Sequence, residues 1–266
     1  MKKAVVYLAA GISNRYGGKI KSLVEVGPKG ETLMEVSINQ ALKAGFDEII
    51  FVVGNKTEGP FKEKFGESYN GVPVKYAYQK YDESERDKPW GTTDALCSVK
   101  EVIGGPFVVC NGDELFGEEA FRKMYKSLDS GEEGVIAYPL GDMVPNEGSV
   151  NRGIFTVVDG YVTNIEEFFN VEKEKMDQMN LSEDDLCNVN VFALHPQVVE
   201  MLHEGFVEFK ERNKGDRKIE SLLPRDLSDL IKRGKINMRL FTVADKWIGI
   251  TNPGDEAAVR EFLRAS

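Results

Sequence analysis

The stretch Tyr7-Leu8-Ala9-Ala10-Gly11-Ile12-Ser13-Asn14-Arg15-Tyr16-Gly17-Gly18-Lys19-Ile20-Lys21 is the most informative part of the chain. It ends an apolar run, residues 4–10, in small side chains that leave room for a base or ribose to pack. It then passes through glycines whose backbone N–H groups can turn toward phosphate oxygens. Arg15, Lys19 and Lys21 put three cations within seven residues, and anionic oxygens are their natural partners. On its residues alone the loop reads more readily as a solvated turn with incidental basic residues. Two familiar phosphate loops are excluded. A Walker loop needs GxxxxGK[ST], whereas Lys19 precedes Ile20; the GxGxxG dinucleotide pattern fails because Ser13 stands where its second glycine belongs.

Working outward, the 266 residues suffice for one large α/β domain or two small ones. The 34 Lys+Arg against 44 Asp+Glu leave a net charge of −10, which disfavours nucleic acid as a partner. Cys97, Cys110 and Cys187 are widely spaced, with no CxxC, so neither a disulfide framework nor a thiolate zinc site is indicated. With only His195 and His203 available, multi-histidine metal chemistry is excluded. No apolar run approaches 18 residues, so no membrane partner is expected. Lys2-Lys3 before residues 4–10 imitates the start of a signal peptide. The run leads into Gly11, Asn14 and Arg15 instead of a cleavage site, so a buried first strand and a cytoplasmic location are expected.

Residues 4–10, 48–53, 74–78 and 106–110 are apolar runs, broken only by Glu48 and Lys75, as suits strands covered on both faces in a mostly parallel sheet. Thr32-Leu33-Met34-Glu35 reads as a capping box, with Leu33, Val36 and Leu42 behind it and Gly45 as a stop. Helices are also expected over 93–102 and 118–128, giving βαβ alternation. The second half changes texture. Residues 153–158 and 161–165 flank Asp159-Gly160 as a hairpin, and the charged stretch 172–185 reads as an exposed helix and loop. A strand at 188–194, helices at 197–212 and 219–233, a strand at 236–243 and a helix from Pro253 follow. One domain over 1–266 is expected, with a nucleotide-binding core over about 1–145 and an acceptor-binding lobe over about 146–266.

Leu8-Ala9-Ala10-Gly11-x-Ser13-x-Arg15-x-Gly17, followed by Lys21, resembles the LAAGxGxRxG signature of the nucleotidyltransferase superfamily. Gly27-Pro28-Lys29-Gly30-Glu31-Thr32-Leu33 and Ala44-Gly45-Phe46-Asp47-Glu48-Ile49-Ile50-Phe51-Val52-Val53 extend the similarity to its sugar-phosphate nucleotidyltransferase, or NDP-sugar pyrophosphorylase, members. The resemblance implies a three-layer α/β/α Rossmann-like fold with a mostly parallel central sheet and a smaller sugar-binding lobe. It implies that Arg15 and Lys21 are catalytic, holding the triphosphate and the entering phosphate. Leu8, Ala10, Gly11 and Ser13 would bind the nucleotide.

The segment Lys88-Pro89-Trp90-Gly91-Thr92-Thr93-Asp94-Ala95 reads on its residues as a helix start capped by Thr92 or Thr93. The long charged loop 80–87 before it reads as a mobile lid. With Gln79 it resembles the superfamily's base-reading segment, which adds Gln79, Gly91 and Thr92 to the nucleotide site. An amide offers both a donor and an acceptor, matching uracil or thymine, so UTP, dTTP or CTP is expected over a purine. Gln79 is otherwise an ordinary polar residue at a strand end.

Val108-Val109-Cys110-Asn111-Gly112-Asp113-Glu114 sets a carboxylate just beyond a buried strand, where open α/β sheets bind ligands. Mg²⁺ takes one or two carboxylates plus phosphate oxygens and water. An Asn-Gly-Asp turn is the plain alternative. The resemblance makes Asp113 the Mg²⁺ ligand.

In the second half, Asn151-Arg152-Gly153-Ile154-Phe155-Thr156-Val157 and Ile165-x-Glu167 resemble the sugar-holding segment. Asn188-Val189-Asn190-Val191-Phe192 resembles the next sugar-facing strand. Gly153, Glu167, Asn188 and Asn190 are thereby implied as acceptor-binding. Trp247-Ile248-Gly249-Ile250-Thr251-Asn252-Pro253 resembles the closing segment, but Gly249 stands where many members carry a second metal-binding Asp. Asp245, or an oxygen from Thr251, is the substitute expected here. Phe168 likewise replaces a lysine that would face the sugar phosphate, leaving that phosphate to Lys21 and Arg152.

The activity implied is transfer of a nucleoside monophosphate from an NTP to a sugar 1-phosphate, releasing pyrophosphate and forming an NDP-sugar. The alternatives are a cytidylyltransferase acting on an alcohol phosphate or phosphocholine, a glycosyltransferase using Asp113, and a non-catalytic nucleotide-sugar-binding protein.

Overall fold

The computed structural model describes residues 2–11, 20–250 and 254–265. Ser13, Arg15 and Thr251 therefore lie outside the described residues. In chain order the elements are β1 (Ala4–Leu8), α1 (Leu33–Ala44), β2 (Glu48–Val53), α2 (Glu58–Phe65), β3 (Ser68–Tyr69), β4 (Val72–Tyr78), α3 (Thr92–Cys97), β5 (Phe107–Asn111), β6 (Glu114–Leu115) and α4 (Glu118–Ser127). They continue with β7 (Glu133–Pro139), α5 (Leu140–Met143), β8 (Val150–Val158), β9 (Tyr161–Val171), β10 (Leu186–Leu194), α6 (Pro196–Arg212), α7 (Leu223–Lys232), β11 (Met238–Thr242), β12 (Ile248–Gly249) and α8 (Asp255–Ala265).

The strand interiors show why β1 lies at the centre. Val5 and Tyr7 pack on one face with α1, α2 and α4, while Ala4 and Val6 pack on the other with α3, α6 and α7. β2 divides in the same way, Ile49, Phe51 and Val53 against Ile50 and Val52. A period-2 side-chain arrangement with both faces covered demands apolar residues at every position, which is the three-layer α/β/α architecture. Phe51 is fully buried between Phe61 and Phe65, each 4.9 Å away between ring centroids. Its truncation to alanine would cost about 3–5 kcal/mol.

One ten-stranded sheet runs β3-β4-β2-β1-β5-β10-β7-β11-β9-β8. It is parallel across β4-β2-β1-β5 and again between β7 and β11. β10 enters antiparallel between β5 and β7, so strands from both halves of the chain share the sheet. Among the described residues no helix is long and apolar enough to cross a membrane.

The Thr32–Glu35 capping box forms: Glu35 N donates 3.2 Å to Thr32 Oγ1, and Thr32 N donates 2.8 Å to Glu35 Oε2. The hairpin turns at Asp159-Gly160, both with positive φ, but its strands run longer than expected. Other expectations are corrected. Gly91, not a threonine, is the N-cap of α3, which ends at Cys97 instead of 102. The 172–185 stretch holds two 3-10 turns and no α-helix. α7 begins at Leu223, not 219. Strand β7, unanticipated, opens on Glu133, a residue ill suited to a buried strand until it meets His195 Nδ1 at 3.2 Å.

Candidate active site

Two cavities open at the carboxyl ends of β1 and β5. The smaller, about 260 Å³, lies between the end of β1 and residues 20–22 on one side and Gly112-Asp113 on the other. Gly112 N donates 3.1 Å to Leu8 O, so the turn after β5 is stitched to the end of β1. A side chain at 112 would push its Cβ to 3.1 Å from the same oxygen. Lys21 opens a single 3-10 turn, Lys21–Leu23, tied by Val24 N donating 3.1 Å to Lys21 O. Its Nζ stands 3.8 Å from Asp113 Oδ2, with side-chain exposures of 13% and 41%. At that distance the pair attracts without a close hydrogen bond, so both groups remain available to a ligand. Enclosure raises the Asp113 pKa above its ordinary value, and Lys21 opposes the rise.

Leu8, Gly11, Lys21 and Asp113 are therefore brought together, as the sequence anticipated. Ala9 lines the cavity where Ala10 was expected; Ala10 packs instead against the second core. Asp245 stands apart from both cavities: its Oδ2 accepts 2.6 Å from Glu119 N at the start of α4. It fills the notch left by Gly117, where a Cβ would approach to 2.1 Å. A carboxylate at a helix N-terminus is a cap, and that corrects its expected role as a metal ligand. Among the described residues no cluster of three or more His, Cys, Asp or Glu could hold a metal. The donor set at Asp113, one carboxylate facing an open cavity, fits Mg²⁺ when substrate phosphates and water complete the coordination.

The larger cavity, about 450 Å³, draws on many elements. Thr92 comes from α3, Asn111 and Glu114 from the end of β5 and from β6, Arg152 and Gly153 from β8, Glu167 and Phe169 from β9, and Asn188 to Asn190 from β10. Gly153 pairs with Glu167, and a Cβ at 153 would meet Glu167 Oε1 at 2.8 Å. Burial raises the Glu167 pKa and Arg152 opposes it. Regular alternation would turn Val189 away from the cavity. A bulge between Asn188 and Phe192, with Asn190 at φ 58°, sets all three residues along it. Asn188 Nδ2 donates 2.9 Å to Asn190 Oδ1, while Asn190 N donates 2.9 Å to Asn188 Oδ1. Both asparagines thus line the larger cavity.

Gln79 behaves otherwise. Its Nε2 donates 2.9 Å to Gly91 O and 2.9 Å to Asp94 Oδ2, so both amide hydrogens are engaged inside the protein. It holds the Gly91 turn in place. Gly91, at φ 106°, would carry its Cβ to 2.4 Å from Ser221 O. Thr92 Oγ1 accepts 2.9 Å from Leu223 N at the start of α7.

The loop over 80–87 is pinned, contrary to its reading as a lid. Buried Arg86 donates to Lys88 O (3.1 Å), Asp216 O (2.7 Å) and Ile219 O (2.6 Å), with its guanidinium 3.4 Å over the Trp90 ring. Arg217 adds a bond of 2.8 Å to Asp87 Oδ1, and Lys88 pairs with Glu220. A run of charges looks mobile in sequence because its partners lie about 130 residues away.

Sequence reasoning missed Glu114. It neighbours Asp113, but adjacent residues near a strand face opposite ways, so the two serve different cavities. Burial, then the Asp113 charge, pushes the Glu114 pKa up to about 7. Arg152 lies with its guanidinium 5.4 Å from the Trp247 ring centroid, and its buried Nε has no hydrogen-bond partner among the described residues.

Residues 18–250 match the family model described as nucleotidyl transferase. The chain is 29% identical over 117 residues to the UTP–glucose-1-phosphate uridylyltransferase AglF of Haloferax volcanii, a match spanning 42% of this chain and 43% of that protein's length. It superposes at TM-score 0.72 on a proposed glucose-1-phosphate thymidylyltransferase from Bacillus anthracis, in complex with a sucrose, at 14% identity over 100% of this chain and 96% of that one. The inositol-1-phosphate CTP transferase of T. maritima gives TM-score 0.66 at 17% identity, over 99% and 95%. At such identities the two structures establish the fold alone.

Proposed function

Because the chain belongs to the nucleotidyl transferase family, we propose that it transfers a nucleoside monophosphate from an NTP to a sugar 1-phosphate, releasing pyrophosphate and forming an NDP-sugar. The observation that carries this reading is Lys21 facing Asp113 at 3.8 Å across a cavity between the ends of β1 and β5. A cation and a carboxylate held apart in this way suit a polyphosphate with its magnesium. AglF supports the substrate pair, since its name describes uridylyl transfer to glucose 1-phosphate.

The acceptor phosphate has a second pKa of about 6, so its oxygen is largely ionised at neutral pH and needs no general base. Catalysis then rests on in-line positioning and on neutralising charge at the α-phosphate. Lys21 bridges the entering phosphate and the α-phosphate. Arg15 holds the departing pyrophosphate, and Ser13 and Gly11 let the backbone approach. Asp113, with phosphate oxygens, would hold Mg²⁺, whose charge offsets that of the polyphosphate. Gln79 spends both amide hydrogens within the protein and so supports the Gly91 turn instead of pairing a base with donor and acceptor together. Thr92 beside that turn would border the base, and the choice of UTP, dTTP or CTP as donor leans on the UTP in the name of AglF. Residues 1–145 carry the nucleotide side and 146–266 most of the acceptor side, including Gly153, Glu167, Asn188 and Asn190.

The test is a screen of five NTPs against sugar and alcohol phosphates with Mg²⁺, detecting pyrophosphate. Release with a sugar 1-phosphate is expected. Release only with an alcohol phosphate, or tight binding of an NDP-sugar without pyrophosphorolysis, overturns the reading.

A further inference from the structure

Glu114 has no part in the chemistry just described, yet it is among the most carefully held side chains near the site. It heads β6 and pairs directly with Gly249 of β12. A Cβ at 249 would stand 3.0 Å from Glu114 Cγ and 3.1 Å from Trp247 Cζ2, so the glycine leaves the notch in which the glutamate lies. Glu167 is seated in the same manner over Gly153. Two carboxylates from different sheets, each laid against a glycine, thus line one cavity. Trp247 Nε1 donates 3.0 Å to Glu114 Oε2 and Asn111 Nδ2 donates 3.1 Å to Oε1, which fixes the carboxylate plane. A carboxylate offers about four lone-pair sites. Each oxygen therefore keeps one acceptor position beyond the protein's own bonds.

We propose that Glu114 is an acceptor-binding residue, receiving hydrogen bonds from hydroxyls of a polyol held between it and Glu167, and that residue 249 lacks a side chain to make room for it. The proposal rests on the larger cavity being the acceptor site, and it narrows the acceptor to a hydroxyl-rich phosphate. In their ionised forms, which for Glu114 means above about pH 7, the two carboxylates only accept; confined together they call for donors, and the vicinal hydroxyls of a sugar supply them. Phosphocholine has no N–H or hydroxyl outside its phosphate: its cation would be attracted to the two carboxylates but would leave their free lone pairs without donors.

The experiment is calorimetric titration of the full chain, with Mg²⁺, using the 1-phosphates of glucose, galactose, mannose and N-acetylglucosamine, and separately using inorganic phosphate. Glu114→Gln should weaken the tightest-binding sugar 1-phosphate about tenfold or more, because it loses a charged hydrogen-bond acceptor, while inorganic phosphate binding stays within about twofold. Gly249→Ala, which crowds Glu114 without altering it, should weaken the same sugar 1-phosphate about threefold or more. It also serves as the deciding variant if Glu114→Gln does not fold. Equal losses for sugar 1-phosphate and phosphate, wild-type affinity in the deciding variant, or no binding of any of these sugar 1-phosphates to the wild-type chain overturns the proposal. Sugar 1-phosphate binding that depends on Glu114 but yields no pyrophosphate upholds it and refutes nucleotidyl transfer instead.

Discussion

The two cavities meet at the end of β5 and are built on opposite plans. The smaller takes its walls from the end of β1, the turn at residues 20–22 and Gly112-Asp113, all packed close around the central strands. Among the described residues its polar lining is backbone, Ser22 and one loosely held charge pair. The larger needs α3, β6, β8, β9, β10 and the start of α7 to arrive in register before any wall exists. Phosphate recognition needs N–H groups and cations at short range, which a local loop can supply. A polyol must be met from several sides, so its site depends on long-range pairing.

That contrast can be broken most directly at Lys21. Lys21→Ala should lower the rate of pyrophosphate release about 10²–10³-fold with every acceptor, judged by the loss of one charge-stabilising donor, while circular dichroism and the melting point stay near wild type. A loss confined to one acceptor would mean that the cavities do not divide the work as described.

The Gly91 turn, which precedes Thr92 on the wall of the larger cavity, is the next target. Gly91→Ala forces a Cβ toward Ser221 O and a left-handed backbone onto alanine. Urea denaturation should show a loss of about 1–3 kcal/mol. No loss would show that the Gly91 turn is looser than its packing against residues 220–221 implies.

Within the acceptor cavity the effect should be smaller and selective. Glu167→Gln should raise the acceptor KM about tenfold and leave the NTP KM within about twofold, as measured by initial rates with each substrate varied. Parallel shifts in both constants would dissolve the distinction.

The mildest effect is on pH. Glu114 titrates near 7 in the folded chain, above the ordinary value of 4.5. Between those values the folded chain keeps the proton and the unfolded chain has lost it, so stability falls as pH rises through that window. In EDTA and without ligand, the melting temperature should drop a few degrees from pH 5 to pH 7.5, and less so in Glu114→Gln. An equal drop in both proteins would assign the slope to other carboxylates.

The readable parts of the chain were those whose partners lie nearby in sequence or whose burial is two-sided. The runs behind β1, β2 and β5 indicate a covered sheet because, Glu48 and Asn111 at the strand ends apart, every residue is apolar. Thr32 and Glu35 sit three residues apart, so their capping box was visible at once. Lys21 and Asp113 stood out as a cation and an acid beside strand ends. β7 escaped notice because Glu133 became compatible with a buried strand only through His195. Loop 80–87 reads as a lid in the sequence because the carbonyls holding Arg86 come from residues 216 and 219.

Sequence alone thus determined the layered architecture and set Lys21 and Asp113 beside strand ends, since hydrophobic periodicity and local capping act over a few residues. Tertiary structure decided which carboxylates face which cavity. It sent Asp245 to a helix start, turned Glu114 away from its neighbour Asp113, and let a bulge at Asn190 present three consecutive residues to one site. Such choices depend on cross-strand register and on space left by glycines in distant segments, and neither exists until the sheet has formed.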